Sequence, residues 1–557
     1  IHHRLSIEPG DRPLEVSVFD EGELPSAIDG NTFRYPDKSA TLHASGESAT
    51  WQIGQGGNLV LRITASKDPI HLAVALTAGE VATANRSIDL AAFTRGGPSR
   101  WKTEHEMQGR LAVSKFQGYE LDSVPVPLKN NYNTWMRTSS LAFFPDGRLA
   151  VGTLSGDVWI VSGIDKSLEK VTWKRFAAGL YEPLGMKVVD GVVTVGTRGR
   201  IVKLHDFNDD GEADFYEAFF NEPEPAPGWH AYNFDLEVGE DGSYYYARTG
   251  GFSKWSIPGG MVRVAPDGES WEVVGAGMRV PNGIGLLPDG RATFSDNQGT
   301  FVPASKISIT AKGDFHGAGS WNDRDGNWDP DKIVPPILYM PQELDSSSGA
   351  QLWVEEDERF GPLSGSYFHT SYGRARTIQL YLDELENGVT QAAAFPLPLT
   401  MESGTMRIAK NPVDGQLYTS GLTGWQAGAS REGSIQRIRY TGEEGLYLTN
   451  AKARDNRLEL TFNKDVDSKM IENLEEWNAT AWNYRWSEGY GSPHFKVTDP
   501  DVKGEDDWEI SEIKIEGGNK LIVVLPELEP CDTLRLNFQI GVLSGPLYFT
   551  IHEIPED

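Results

Sequence analysis

The chain of 557 residues is 39% hydrophobic and carries 16 Trp, 23 Phe and 19 Tyr, which excludes a disordered protein and is ample for several packed cores. A formal charge of −29 with no basic run excludes a phosphate backbone as partner, so no nucleic acid is expected. The single cysteine, Cys531, excludes an intramolecular disulfide, a cysteine-based zinc site and a thioether-linked haem, and no apolar run reaches the length of a transmembrane segment.

Sixty glycines and 32 prolines, spread along the chain, predict many tight turns between short strands and hence an all-β protein. Residues 1–105 read as an N-terminal β-domain, in which 49–53 and 58–64 alternate apolar and polar side chains like half-buried strands. From 106 to 441 the chain repeats. Asp-Gly pairs begin at 146, 190, 241, 289 and 414, each followed by a short alternating strand such as Arg148-Leu149-Ala150-Val151. The starts lie 44, 51, 48 and 125 residues apart, the period of a β-propeller; the long gap holds two further intervals and an insertion. Six blades are expected, with seven as the alternative. Residues 446–557 read as an immunoglobulin-like β-sandwich, with strands at 457–462 and 520–525 and a short helical stretch at 468–477.

The most specific motif lies inside the repeat. Residues 206–217, Asp-Phe-Asn-Asp-Asp-Gly-Glu-Ala-Asp-Phe-Tyr-Glu, have the spacing of a calcium loop. Asp206, Asn208, Asp210, Asp214 and Glu217 offer side-chain oxygens, Glu212 offers its carbonyl, and Gly211 permits the sharp turn. Alternation before the loop and prolines after it argue against the flanking helices of an EF-hand, so a structural calcium clip between strands is expected. Calcium is scarce in cytosol. The loop therefore points to an extracytoplasmic protein, periplasmic or secreted, whose signal peptide is already removed. The absence of a heptad seam and the high net charge predict a monomer.

In a propeller, chemistry sits where the blade-linking loops converge, and four segments qualify. In 228–233, His230 is a candidate general base, Trp229 a wall for a sugar ring, and Tyr232 a further contact. The second segment joins Arg279 and Asn282 of 279–283 to Asp296 of 295–299, and the third gathers His369, Tyr372 and Arg374. The fourth, 401–407, ends in Arg407. Asp296, Asp345 and Glu402 are candidate acids. Each has a structural alternative: a histidine bonded between blades, an arginine closing a turn, or strand alternation sending neighbours to opposite faces.

Thr94-Arg95-Gly96-Gly97-Pro98, Phe144-Pro145-Asp146-Gly147 with Gly156-Asp157-Val158-Trp159, and Leu180-Tyr181-Glu182-Pro183-Leu184-Gly185 share one pattern. With the acidic loop, Leu344-Asp345-Ser346-Ser347-Ser348-Gly349 and Trp482-Asn483-Tyr484-Arg485, they make the chain resemble a group of uncharacterised propeller proteins abundant in Planctomycetes and Verrucomicrobia. These are related to the sorbosone and glucose dehydrogenase-like propellers. The resemblance implies a secreted, sugar-associated role and pyrroloquinoline quinone as a cofactor. It also implicates Arg279 and Asn282, whose Arg-x-Pro-x-Gly turn is similar to one that faces quinone and substrate. The haem module that many relatives carry is absent, so no haem is expected. Three functions stay open: a quinoprotein-type sugar dehydrogenase, a polysaccharide lyase or glycoside hydrolase on an acidic polysaccharide, and a non-enzymatic glycan-binding protein. In the first, His230 or His369 takes a hydroxyl proton and arginines hold cofactor carboxylates. The second uses Tyr372 or His369 as base with Arg374 on a uronate carboxylate, or a carboxylate pair.

Overall fold

The computed structural model describes residues 2–7, 10–19, 26–29, 32–34, 40–45, 49–53, 59–68, 70–78, 94–112, 116–225, 230–250, 257–318, 328–424, 426–471 and 474–555. Among the described residues strands dominate, all paired antiparallel in their ladders, and helix is confined to 3-10 turns such as Ser468–Ile471 and Leu474–Glu476. No helix among the described residues is long and apolar enough to cross a membrane.

The chain divides into two compact units, 1–98 and 99–557. In the first, Leu59–Ile63 pairs with Leu14–Phe19 and Ala49–Ile53. Leu59, Leu61 and Ile63 fall on one face by the two-residue period of a strand and are buried with Phe33, Ile70, Leu72 and Val74.

In the second unit six antiparallel sheets, each built on four strands, follow one another. The first strands of the sheets are Thr138–Phe143, Gly185–Val189, Asn233–Val238, Gly283–Leu286, Ser348–Val354 and Gly404–Lys410. Each adjoins the next, and the sixth adjoins the first, so they form a closed ring. The sixth sheet is completed by Tyr119–Val124, which pairs with Gly433–Tyr440 in the register Tyr119↔Tyr440 to Val124↔Ile435, joining the start of the ring to its end. Second strands such as Leu149–Thr153 and Leu417–Leu422 are buried on both faces, because each sheet packs against two neighbours; they are continuous apolar or small-residue runs instead of alternating ones.

Five of the six sheets make their first hairpin at an Asp-Gly pair, at 146, 190, 241, 289 and 414. At the first of these Gly147 holds φ +88°, a conformation that favours glycine, and Asp146 Oδ1 accepts from the Arg148 amide at 3.0 Å. The fifth sheet replaces the pair with the connection between Val354 and Ser366, and an excursion after Thr310 separates the last two strands of the fourth, which accounts for the long gap in the repeat.

Residues 446–557 were expected as a sandwich of their own. They supply one four-stranded sheet, containing Leu448–Arg454, Arg457–Phe462, Glu512–Glu516 and Lys520–Val524. Their other strands extend the fifth sheet of the ring: Leu543–Ile551 pairs with Thr390–Pro396 through Ala392↔Thr550, Ala393↔Phe549 and Ala394↔Tyr548, giving eight strands in one sheet. Cys531 is buried there.

Candidate functional site

Antiparallel alternation sends the Asp-Gly hairpins to one end of the ring. The turns between second and third strands, and the connections to the next sheet, lie at the other. At that second end an apolar cluster of Leu184, Phe234, Tyr372, Met406 and Leu422, flanked by Leu154, Tyr232, Val280 and Ala427, closes the centre. Its members come from loops or inner strand ends of different sheets. Tyr372 lies flat against the backbone of Gly404, where a Cβ would stand 2.6 Å from its ring, so only glycine fits.

Arg407 lies inside this cap. Its Nε donates to the Leu184 carbonyl at 2.8 Å, its Nη1 to the Met406 carbonyl at 2.9 Å and to Asn282 Oδ1 at 3.3 Å, and Nε stands 3.2 Å from Asp235 Oδ1. Asn282 in turn donates from Nδ2 to the Ser348 carbonyl at 2.7 Å. Burial lowers the Arg407 pKa, while Asp235 and Glu237 oppose the shift. Arg407 and Asn282 are thus brought together, as a buried crossing between sheets and not as groups facing solvent.

The rim around the cap pairs exposed rings with guanidinium groups. Trp135, 60% exposed, lies under Arg137 at 4.6 Å; Tyr181, 58% exposed, lies under Arg198 at 5.1 Å, and Arg198 also covers Tyr232 at 4.8 Å. Tyr490, 71% exposed, lies 5.3 Å from the Arg279 guanidinium. Arg137 is half-buried, and among the described residues no carboxylate pairs with it. His230 is half-buried on the same rim; burial lowers its pKa and the neighbouring Arg279 charge lowers it further, so the imidazole is neutral near pH 7. Burial raises the Glu182 pKa against the pull of Arg198, whose Nε is 2.7 Å from Glu182 Oε2.

Other predicted residues are spent on structure. Asp296 is fully buried and accepts from the amides of Arg279 at 2.7 Å, Val280 at 2.7 Å and Asn297 at 2.9 Å, which shapes the turn presenting Arg279. Burial raises its pKa, opposed by Lys306 and those amides. His369 is fully buried, with Nε2 3.1 Å from Asp345 Oδ2 and Nδ1 3.3 Å from Gln351 Nε2. Asp345 also accepts from Ser348 Oγ at 2.5 Å and Ser371 Oγ at 2.6 Å; burial pushes its pKa up, but these bonds outweigh it and hold the carboxyl below the ordinary range. Arg374 is exposed and turned onto the Gln342 carbonyl, and Trp229 lies outside the described residues.

The acidic loop connects the third and fourth strands of the second sheet, at the Asp-Gly end, away from the rim. Its first half curls as the spacing predicts: Asp206 accepts from the amides of Asp210 at 3.2 Å and Gly211 at 2.8 Å, and Asn208 Oδ1 from Asp210 at 3.1 Å. Asp214 accepts from the Phe207 amide at 2.9 Å. The second half goes elsewhere. Glu217 belongs to Phe215–Asn221 and sits 2.7 Å from His205 Nε2, the Glu212 carboxylate clamps Ser99, Arg100 and Trp101, and the Lys174 ammonium donates to the Asp210 carbonyl. Among the described residues no group of three or more His, Cys, Asp or Glu is arranged to hold a metal ion.

Three surface cavities, of about 460, 420 and 390 Å³, lie off the rim, and of the predicted residues Asp206 and Gly211 of the acidic loop line the second. In the first of these the Arg291 charge is compensated by Asp289 and Glu384. The rim holds the exposed rings and the Arg137 guanidinium, so the chemistry points there. Trp135, Arg137, Tyr181, Glu182 and Arg198 were not foreseen as a group. A positional signal exists: Trp135, Glu182 and His230 each stand three residues before a first strand, and Arg279 four.

No family model and no curated protein matches the chain. Among solved structures it is similar to a glucose dehydrogenase-type oxidoreductase from Thermus thermophilus, at 17% identity over 58% of this chain and 100% of that one, with a TM-score of 0.44. It is also similar to the pyrroloquinoline quinone-bound aldose sugar dehydrogenase of Streptomyces coelicolor, at 14% identity over 60% and 98%, TM-score 0.43. A gluconolactonase from Xanthomonas campestris matches at 14% over 62% and 97%, TM-score 0.37. Likeness this distant leaves the chemistry to the residues themselves.

Proposed function

We propose that the six sheets are the blades of a β-propeller, that the C-terminal strands form an immunoglobulin-like sandwich grown onto its fifth blade, and that the rim is the site of a sugar oxidoreductase of the quinoprotein type. One observation carries the functional reading: exposed aromatic rings alternate with guanidinium groups around a single mouth, and one of those guanidinium groups, Arg137, has no carboxylate partner among the described residues. Ring faces take the C–H faces of sugars, and guanidinium forks take carboxylates, of a tricarboxylic quinone or of a uronate. The donor set fits pyrroloquinoline quinone, with Arg137 to take a carboxylate beside the buried Arg279. When bound, that cofactor would accept the hydride from the sugar carbon. The chain's own contribution is His230, neutral because burial and Arg279 depress its pKa, which takes the hydroxyl proton of the sugar onto a ring nitrogen.

The test is to add the quinone and calcium to the purified protein and follow dye-coupled oxidation of an aldose panel. Turnover that Arg137→Ala and His230→Ala abolish supports the reading; no cofactor binding and no turnover overturn it. The burial of His369 favours a second reading, glycan binding without chemistry, because it removes one of the expected bases; a lyase using His369 would need that enclosed ring to reach substrate. An extracytoplasmic, monomeric protein remains part of the proposal. Calcium at 206–217 rests on the spacing of Asp206, Asn208 and Asp210; a melting temperature that rises with calcium, and no longer does so in Asp210→Ala, supports it. An unchanged melt makes the loop a turn closed by its own amides.

A further inference from the structure

The last module of the chain reaches the rim. Its segment 486–492 runs along the turn between the second and third strands of the fourth sheet and is fixed there by backbone bonds: Phe301 N to Gly489 O at 3.1 Å, Gly491 N to Gly299 O at 3.0 Å, and Ser492 N to Pro303 O at 2.9 Å. Trp486 anchors the start, donating from Nε1 to Tyr339 Oη at 3.0 Å. Held between these ties, Tyr490 leaves 71% of its surface in solvent while its ring stays 5.3 Å from the Arg279 guanidinium. A large ring kept mostly in water on a pinned backbone gains little from packing beyond its contact with Arg279. For a ligand it is pre-ordered surface, since little conformational freedom is lost when a partner covers it. The Arg279 charge is in turn felt at His230, the group assigned to the proton.

We propose that segment 486–492 is a wall of the saccharide site and that Tyr490 stacks on a sugar ring of the ligand, so that the C-terminal module takes part in choosing what the ring of sheets binds. This rests on the reading of the rim as a saccharide site.

The experiment measures calorimetric binding of cellotetraose and of tetragalacturonic acid to the intact protein and to Tyr490→Ala, Tyr490→Phe and Tyr181→Ala. The expected result is binding of at least one tetrasaccharide, a loss of about tenfold in affinity in Tyr490→Ala, and near-native affinity in Tyr490→Phe, which keeps the ring. Melting temperatures should agree among the variants, because the removed surface is exposed. If the tetrasaccharide binds and Tyr490→Ala binds it equally well while Tyr181→Ala is weakened, the rim stands and the wall is wrong. If Tyr490→Phe loses as much as Tyr490→Ala, the hydroxyl and not ring stacking matters, and the proposal fails. If the wild-type protein binds neither tetrasaccharide, this inference falls, while the reading of the rim is decided by the quinone and aldose assay.

Discussion

The two ends of the ring are built from similar residues used in opposite ways. At the Asp-Gly end, charges are neutralised by close neighbours in sequence: Arg148 by Asp146 at 2.8 Å, Arg291 by Asp289 at 2.6 Å and, in the fifth sheet, Arg359 by Asp357 at 2.7 Å. These pairs shape turns. At the rim, Arg137 lies over Trp135, two positions before it, while the ring beside the buried Arg279 guanidinium, Tyr490, comes from the C-terminal module. At the hairpins a neighbouring carboxylate spends the charge on the turn; at the rim the Arg137 guanidinium lies over a ring and has no carboxylate partner among the described residues.

Four changes sharpen that comparison. The largest effect is expected under the rim, where Arg407→Ala leaves Asp235 buried without its cation and removes donors from two carbonyls. A loss of about 3–5 kcal/mol in urea unfolding is expected; a loss as small as that of a surface ion pair would show that the cap does not depend on this crossing.

Next comes His230. Its replacement by alanine should lower turnover by roughly a hundredfold with the fold intact. The base works when neutral, so activity is present above its folded pKa and is lost as pH falls through it. Because Arg279 helps to hold that pKa down, Arg279→Gln should move the acid limb to higher pH. An acid limb that stays in place separates His230 from the chemistry.

The smallest effect is expected at the other end. Gly147→Ala, at φ +88°, should cost about 1 kcal/mol and leave ligand binding unchanged, read by thermal melting and calorimetry. A binding defect there would mean that the two ends are coupled.

The repeat was legible because each Asp-Gly hairpin is a local event: the carboxylate bonds the amide two residues on, and glycine takes the positive φ, whatever surrounds them. The fifth sheet was harder to see because its first hairpin uses another connection. Among candidate site residues, His369 and His230 look alike in sequence, each a histidine beside aromatic and small residues. Only packing separates them. Ser366–Ser371 is a second strand, buried on both faces, whereas His230 precedes a first strand and stays at the mouth.

The sequence by itself determined an all-β chain, the positions of its Asp-Gly hairpins and the curl of the acidic loop's first half, because each depends on residues within a few positions of one another. Tertiary structure decided which ionisable groups are consumed and which remain. Glu217 goes to His205, His369 to Asp345, Arg407 to Asp235, and Tyr490 crosses from the last module to Arg279. Three of these four partnerships join residues more than 20 positions apart, and an electrostatic partner at such a separation is chosen by the closing of the ring and not by local sequence.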